Sequence, residues 1–210
     1  MSDEQLADVL EPRPVTASET VFEGRIWDVV RDTVDLGSGT VVREVVRHPG
    51  AVAVVALDEQ GRVLMIRQYR HPVGAVLWEL PAGLMDVEGE PPHVGAAREL
   101  AEEADLRADR WDLLLEHYNS PGGMDEALRI FLARDVSPVP EAERHEREDE
   151  EADIELRWVP LDEVVEAGLA GRLHNGTALL GVLAARAARE SGWTTLRPVD
   201  EPWPFHPRLR

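Results

Sequence analysis

Glu99, Glu102 and Glu103 stand within five residues of one another in the segment RELAEEADL, residues 98–106. The segment has a helical period. At 100° per residue Val94, Ala97, Leu100, Ala101 and Ala104 share one arc and the three glutamates fill another. Glu99 and Glu103 are one turn apart, a like-charge spacing that destabilises a bare helix by about 0.2–0.5 kcal/mol. Arg98 reaches Glu102 at i+4, but one guanidinium does not neutralise three carboxylates. A hard divalent cation does, because Mg²⁺ prefers carboxylate oxygens and keeps waters that a phosphate can displace. Taken alone, such a cluster is better explained as a solvated charged face.

The stretch that delivers the chain into this helix tips the balance. Leu80-Pro81-Ala82-Gly83 ends an apolar run, and a short acidic loop leads through Glu90-Pro91-Pro92. Proline suits a first helical turn, where its missing N–H is no loss. Strand end, glycine, loop and carboxylate-bearing helix make a place where a backbone carbonyl and side-chain oxygens can converge.

These residues resemble the Nudix box: Gly, five residues, Glu, seven residues, then Arg-Glu-apolar-x-Glu-Glu-x-Gly-apolar. Gly83, Glu90, Arg98-Glu99-Leu100-Ala101-Glu102-Glu103 and Leu106 match it. Six residues rather than five precede Glu90, which lengthens the loop and leaves the helical spacing intact. Asp105 stands at the pattern's glycine, and Asp tolerates a left-handed turn better than most residues. The resemblance implies an α/β/α sandwich with a mixed sheet, preceded by a small N-terminal antiparallel sheet. It also implies a pyrophosphatase in which Glu99, Glu103 and the Ala82 carbonyl hold Mg²⁺ (or Mn²⁺ in its place), with Glu102 beside them.

The elements that must position this helix read as follows. Residues 1–18 are acidic and proline-punctuated, as in a flexible tail, and 19–47 alternate like a small antiparallel sheet with a Gly37-Ser38-Gly39 turn. Such a sheet is marginal alone and must pack on the main domain or on a second copy of the chain. The main domain is expected over 48–190. Its runs 51–57 and 62–70 read as a core hairpin, with strands at 76–80, 112–118, 126–136 and 154–160 and helices at 161–173 and 176–190. Residues 191–210 read as irregular chain.

The resemblance extends to other positions, each of which also has an ordinary structural explanation. Arg70, in RQYR ahead of WELPAG, fits the ADP-ribose pyrophosphatases of the family, where a guanidinium meets phosphate. Ser120-Pro121-Gly122 is similar to their substrate loop, with Glu126 accepting from the terminal ribose and Leu84 beside the box also lining the pocket. Trp27 would stack on adenine, and Arg43 and Glu44 would serve the site from the N-terminal sheet, exchanged across a homodimer. The acidic segment 141–153 falls where the family carries its water-activating carboxylate, and Glu150 and Glu151 are the candidates. Trp203-Pro204-Phe205 looks superficially like the array of NADH-cleaving relatives, but it lies nearly a hundred residues from the box.

Composition excludes several classes. With 41 acidic against 22 basic residues the formal charge is −19, which repels nucleic acid and anionic membranes. The chain has no cysteine, hence no disulfide, thiolate zinc site or cysteine nucleophile. No leader peptide or spanning run is visible, so a cytoplasmic protein is expected. No histidine pair has metal-ligand helical spacing and there is no Gly-x-Ser-x-Gly elbow. The expected reaction is hydrolysis of ADP-ribose to AMP and ribose 5-phosphate. Another nucleotide sugar such as GDP-mannose, or a sensor that binds ADP-ribose without cleaving it, remain the alternatives.

Overall fold

A computed structural model describes residues 6–147 and 154–209. At its centre is β4 (Ala51–Ala56), in which every residue is buried. Val, Ala and nothing polar suit a strand covered on both faces. It pairs in parallel with β9 (Ala127–Pro138) and antiparallel with β7 (Ala82–Leu84), and β8 (Leu106–Tyr118) completes the mixed sheet in the order β7-β4-β9-β8. A second sheet, β10-β5-β6, comprises β5 (Arg62–Arg70), β6 (Ala75–Glu79) and β10 (Glu155–Pro160).

The pleat of β4 divides the core. Ala53, Val55 and Leu57 face Val164 and Val165 of α2 (Leu161–Leu169) and Ala178, Val182 and Ala185 of α3 (Gly176–Glu190). Val52, Val54 and Ala56 face Ala96, Leu100 and Ala104 of α1 (Pro92–Ala104). This is an α/β/α sandwich, as expected. Asn175 caps α3 by accepting from the Ala178 N–H at 2.8 Å.

Three expectations change. The runs 51–57 and 62–70 are not a paired hairpin: only Leu57 and Val63 bridge, after which β4 and β5 enter different sheets. Each strand is apolar enough to be buried among other partners. The stretch read as tail is strand from Val15, because β1 (Val15–Phe22) pairs antiparallel with β2 (Asp28–Asp35), which pairs with β3 (Thr40–Arg47). The buried face of α1 is also rotated from the expected arc. It comprises Gly95, Ala96, Glu99, Leu100, Glu103 and Ala104, whereas Val94 is exposed. Small residues let α1 lie close to β4, which carries two carboxylates inward with the apolar side chains.

The N-terminal sheet meets the sandwich at the end of β3. The Val46 N–H donates to Gly123 O and the Asp125 N–H to Val46 O. Arg47 joins Asp32 at 2.8 Å and Asp125 at 3.2 Å. Among the described residues, no helix is long and apolar enough to cross a membrane.

Candidate active site

Glu99 and Glu103 leave the inner face of α1 toward β7. The Ala82 N–H donates to Glu103 Oε2 at 2.8 Å. Glu99 lies so close over Gly83 that a Cβ there would overlap its carboxyl group. Glycine at 83 is therefore set by the approach of a side chain, not by an unusual φ. Glu102 is half-buried on the neighbouring face, and Arg98 spans the group. Its Nη1 lies 2.7 Å from Glu99 Oε1 and 3.0 Å from Glu102 Oε2, and its Nη2 3.2 Å from Glu90 Oε2. The hydrogen bonds that Arg98 donates to Glu90, aided by Glu99 and Glu102 and opposed by burial, raise the Arg98 pKa above its ordinary value. Glu90 crosses to Arg98 over Gly95, where a Cβ would stand 2.8 Å from Glu90 Oε2.

Asp105 takes the left-handed conformation that the box reserves for glycine, at φ 53°. Its N–H closes α1 onto Ala101 O and Leu100 O, while Arg147 pairs with its carboxylate and donates from Nε to Glu102 O at 2.8 Å. Asp105 thus fixes the acidic segment, at its midpoint Arg147, against the C-terminus of the box helix. Glu150 and Glu151 lie outside the described residues.

Beside β7 opens a cleft of about 620 Å³. Trp27, His48, Arg70, Glu79, Leu84 and Glu126 line it, and Ala82 and Gly83 carry it to the box. Arg70 is held by Glu79 through a two-pronged contact, Nε to Oε1 at 3.0 Å and Nη2 to Oε2 at 2.7 Å. Glu79 is buried, so the pair aims a fixed cation along the cleft. Asn119 Nδ2 donates to Glu126 Oε2 at 2.9 Å.

The structure brings together Trp27, Arg70, Ala82, Leu84 and Glu126, with Glu99 and Glu103 next to them. It does not place Ser120, Pro121 or Gly122 in the cleft lining. They form an exposed turn in which Ser120 O accepts from the Gly123 and Met124 N–H groups, and the residues after it dock β3. Arg43 and Glu44 are exposed on β3 and are not among the lining residues of this chain's cleft. Arg43 donates to Val42 O, and Glu44 accepts from Arg31 at 3.2 Å. Sequence reasoning missed His48, Glu79 and Asn119. His48 carried a signal, since His-Pro-Gly immediately precedes the most apolar strand, but a search for metal-ligand spacing passes over it. A second cleft, of about 700 Å³, lies across the box loop between Arg25, Asp86, Glu88 and Arg208. Glu90 lines it, and the helix glutamates Glu99, Glu102 and Glu103 line neither cleft; it is Ala82 and Gly83, which Glu103 and Glu99 touch, that open on the first.

The donor set at β7 and α1 is oxygen only, the chemistry of a hard divalent cation. Among the described residues, no group of three His, Asp or Glu side chains is placed to hold a metal ion. The two carboxylates would therefore share such an ion with backbone and water, which suits a metal that retains exchangeable positions.

Comparison with known proteins agrees with this geometry. The NUDIX domain family matches residues 47–179, well over half of the chain, and the chain belongs to that family. It is 46% identical over 188 residues to an ADP-ribose pyrophosphatase of Mycobacterium tuberculosis, covering 89% of each chain. It is 37% identical over 152 residues to an ADP-ribose pyrophosphatase of Bacillus subtilis, covering 71% of this chain and 80% of the relative. A crystal structure of an ADP compounds hydrolase superposes with a TM-score of 0.71 at 21% identity, over 89% of this chain and all of that one, and confirms the fold.

Proposed function

We propose that the protein hydrolyses the diphosphate of ADP-ribose to AMP and ribose 5-phosphate, with Mg²⁺ as its metal and Mn²⁺ able to substitute. One observation carries the reading: a continuous cleft of about 620 Å³ runs from Trp27 past Arg70 and Glu126 to Ala82 and Gly83, the two residues that Glu103 and Glu99 touch from the box helix. Trp27 offers an indole face to the base, and Glu126 offers carboxylate oxygens to sugar hydroxyls. Arg70, pinned by Glu79, orients the diphosphate and offsets its charge in a protein of net charge −19.

NUDIX hydrolases generally need a divalent metal; here Glu99, Glu103 and the Ala82 carbonyl would hold it, with Glu102 adjoining, and bound metal would polarise the diphosphate and acidify water. Arg98 orients Glu99 and Glu102, and the Ala82 N–H orients Glu103, before substrate arrives. Either Glu150 or Glu151 takes the proton from the attacking water. Arg147 supports this assignment, because it ties the chain to α1 only three residues short of Glu150, within about 10 Å of extended chain. The active unit is a homodimer in which the N-terminal sheet reaches the partner. Val21, Phe22 and Val42 lie exposed on that sheet, which is consistent with a covering surface.

The test is a product-resolved panel of ADP-ribose, GDP-mannose and NADH, each with Mg²⁺ and with Mn²⁺. ADP-ribose is expected to give the highest kcat/KM and to yield AMP. A preference for either other substrate refutes the assignment.

A further inference from the structure

His48 takes no part in the reaction described above, yet it sits between the two groups assigned to base and sugar. Its ring stacks on Trp27, with centroids 5.8 Å apart and planes 28° from parallel, and it lines the cleft while being 5% exposed. Its backbone N–H donates to Asp125 Oδ1 at 2.7 Å, which fixes where the side chain starts. The Gly50 N–H donates to Nδ1 at 3.1 Å. An N–H can donate only to an unprotonated ring nitrogen, so the neutral ring carries its proton on Nε2. Burial lowers the His48 pKa, against the pull of Glu126 and Asp125, and so favours that neutral form.

Nε2 faces Glu126 Oε1 at 3.9 Å. That is too far for a direct hydrogen bond. It is a little short of the ~4.6 Å that one tetrahedral oxygen bonded to both would span. A small opening of the two side chains admits such an oxygen, and Asn119 steadies Glu126 from the other side at 2.9 Å. The group in between must accept from Nε2–H and donate to a carboxylate. A phosphate oxygen accepts but does not donate, so it gives the Glu126 carboxylate no donor. An exocyclic amine donates but does not accept from Nε2–H. A hydroxyl does both.

We propose that His48 and Glu126 form a donor–acceptor pair that reads one sugar hydroxyl of the substrate, making His48 a specificity-determining residue. The proposal rests on the nucleotide-sugar reading above and adds to it the residue and polarity of the recognition. Nε2–H donates to the hydroxyl oxygen, and Glu126 Oε1 accepts the hydroxyl hydrogen.

The experiment compares kcat/KM for ADP-ribose with two analogues, one lacking the 2- and 3-hydroxyls of the adenosine ribose and one lacking those of the terminal ribose. Wild type should lose about tenfold to a hundredfold on one analogue and little on the other, which identifies the sugar that is read. His48→Asn keeps an acceptor for the Gly50 N–H and removes the Nε2 donor. It should lose a similar factor on ADP-ribose and nothing further on the discriminated analogue. His48→Gln places an amide N–H near the lost donor and should recover to within about threefold of wild type. Should His48→Asn fail to fold, Glu126→Gln probes the same hydroxyl from its other side, with the same non-additive pattern expected. The pairing is overturned if wild type treats both analogues like ADP-ribose, if His48→Asn is as active as wild type, or if either variant loses equally on intact and deoxy substrates. A wild-type enzyme inactive on ADP-ribose would instead remove the functional reading, and this proposal with it.

Discussion

Gly83→Ala should separate the chemistry of the site from the stability of the fold. Gly83 has no positive φ, and the three atoms nearest to an added Cβ all belong to the Glu99 carboxyl group. No backbone atom has to move. The end of a flexible side chain swings away, and Glu99 gives up its place over β7. The folded state risks the charge-assisted hydrogen bond from Arg98 to Glu99, about 1.5–3 kcal/mol. Arg98 retains Glu90 and Glu102, and Ala reduces unfolded-chain entropy by about 0.4–1 kcal/mol. A net cost near 1 kcal/mol lowers Tm by about 2–4 °C. The proposed role of Glu99 as a metal ligand predicts a far larger loss in turnover, because displacing it would remove several kcal/mol of charge stabilisation, on the order of a hundredfold or more in kcat. Hydrolysis of ADP-ribose is measured across a Mg²⁺ titration, and melting with and without the ion reports binding independently of turnover. Wild type should gain Tm with Mg²⁺ and the variant should gain little. A kcat within about tenfold of wild type, roughly 1.4 kcal/mol, together with an undiminished Mg²⁺ shift, would show that Glu99 does not hold the metal from this position.

Acid should destabilise the fold through His206. Burial, chiefly, lowers its pKa from 6.5 to about 4, so the unfolded chain binds the extra proton in that window. The contribution is complete above pH 6.5 and fades as pH falls toward 4, by up to about 3 kcal/mol. Urea titrations should show a shallower decline for His206→Phe, and an unchanged pH slope would discount the residue. Alanine at Glu150 and at Glu151 should lower kcat much more than it raises KM at one position only, and two neutral results place the base elsewhere. Arg43→Ala and Glu103→Gln should each be nearly inactive, yet restore about a quarter of wild-type sites when mixed with subunit exchange, as half the dimers are hybrid with one intact site. A mixture no more active than its parts means that each site is built within one chain.

The sandwich was legible because its signals are local. An all-apolar strand, a carboxylate-bearing helix and a glycine at the strand end each announce themselves in a few residues. What stayed hidden depends on partners distant in sequence. Nothing in 51–70 says that β4 and β5 part company, because both are apolar enough to be buried and their partners, β9 and β10, lie far downstream. The arc of α1 was misjudged for the same reason. Periodicity ranks Val94 as a core residue and Glu99 and Glu103 as surface, but close packing of Gly95 and Ala96 on β4 reverses them. Within the site, Arg70 and Glu126 were readable from nearby motifs. Their supports, Glu79 and Asn119, were not, since only folding brings their side chains to those groups.

The C-terminal tail shows how far that non-local support extends. Arg129 of β9 is 2% exposed, and a guanidinium so buried is tolerable only if its donors are used. It reaches Glu116 at 2.9 Å, Glu201 O at 2.8 Å and Pro202 O at 3.0 Å, and lies 4.5 Å over the Trp203 ring. Tyr118 adds a hydrogen bond to Phe205 O. Irregular chain is thereby fixed by the β8–β9 pair, whose connection also carries Asn119 and Glu126. Two residues beyond Pro204, the His206 ring packs edge-on to Trp203 at 4.6 Å and occupies the space where a side chain at position 50 would go. Gly50, at φ 93°, can therefore only be glycine, and its N–H is the group that sets the His48 proton on Nε2. Trp203 is buried beneath the Arg129 guanidinium. The aromatic cluster acts behind the site, holding the turn that decides which nitrogen of His48 faces the cleft.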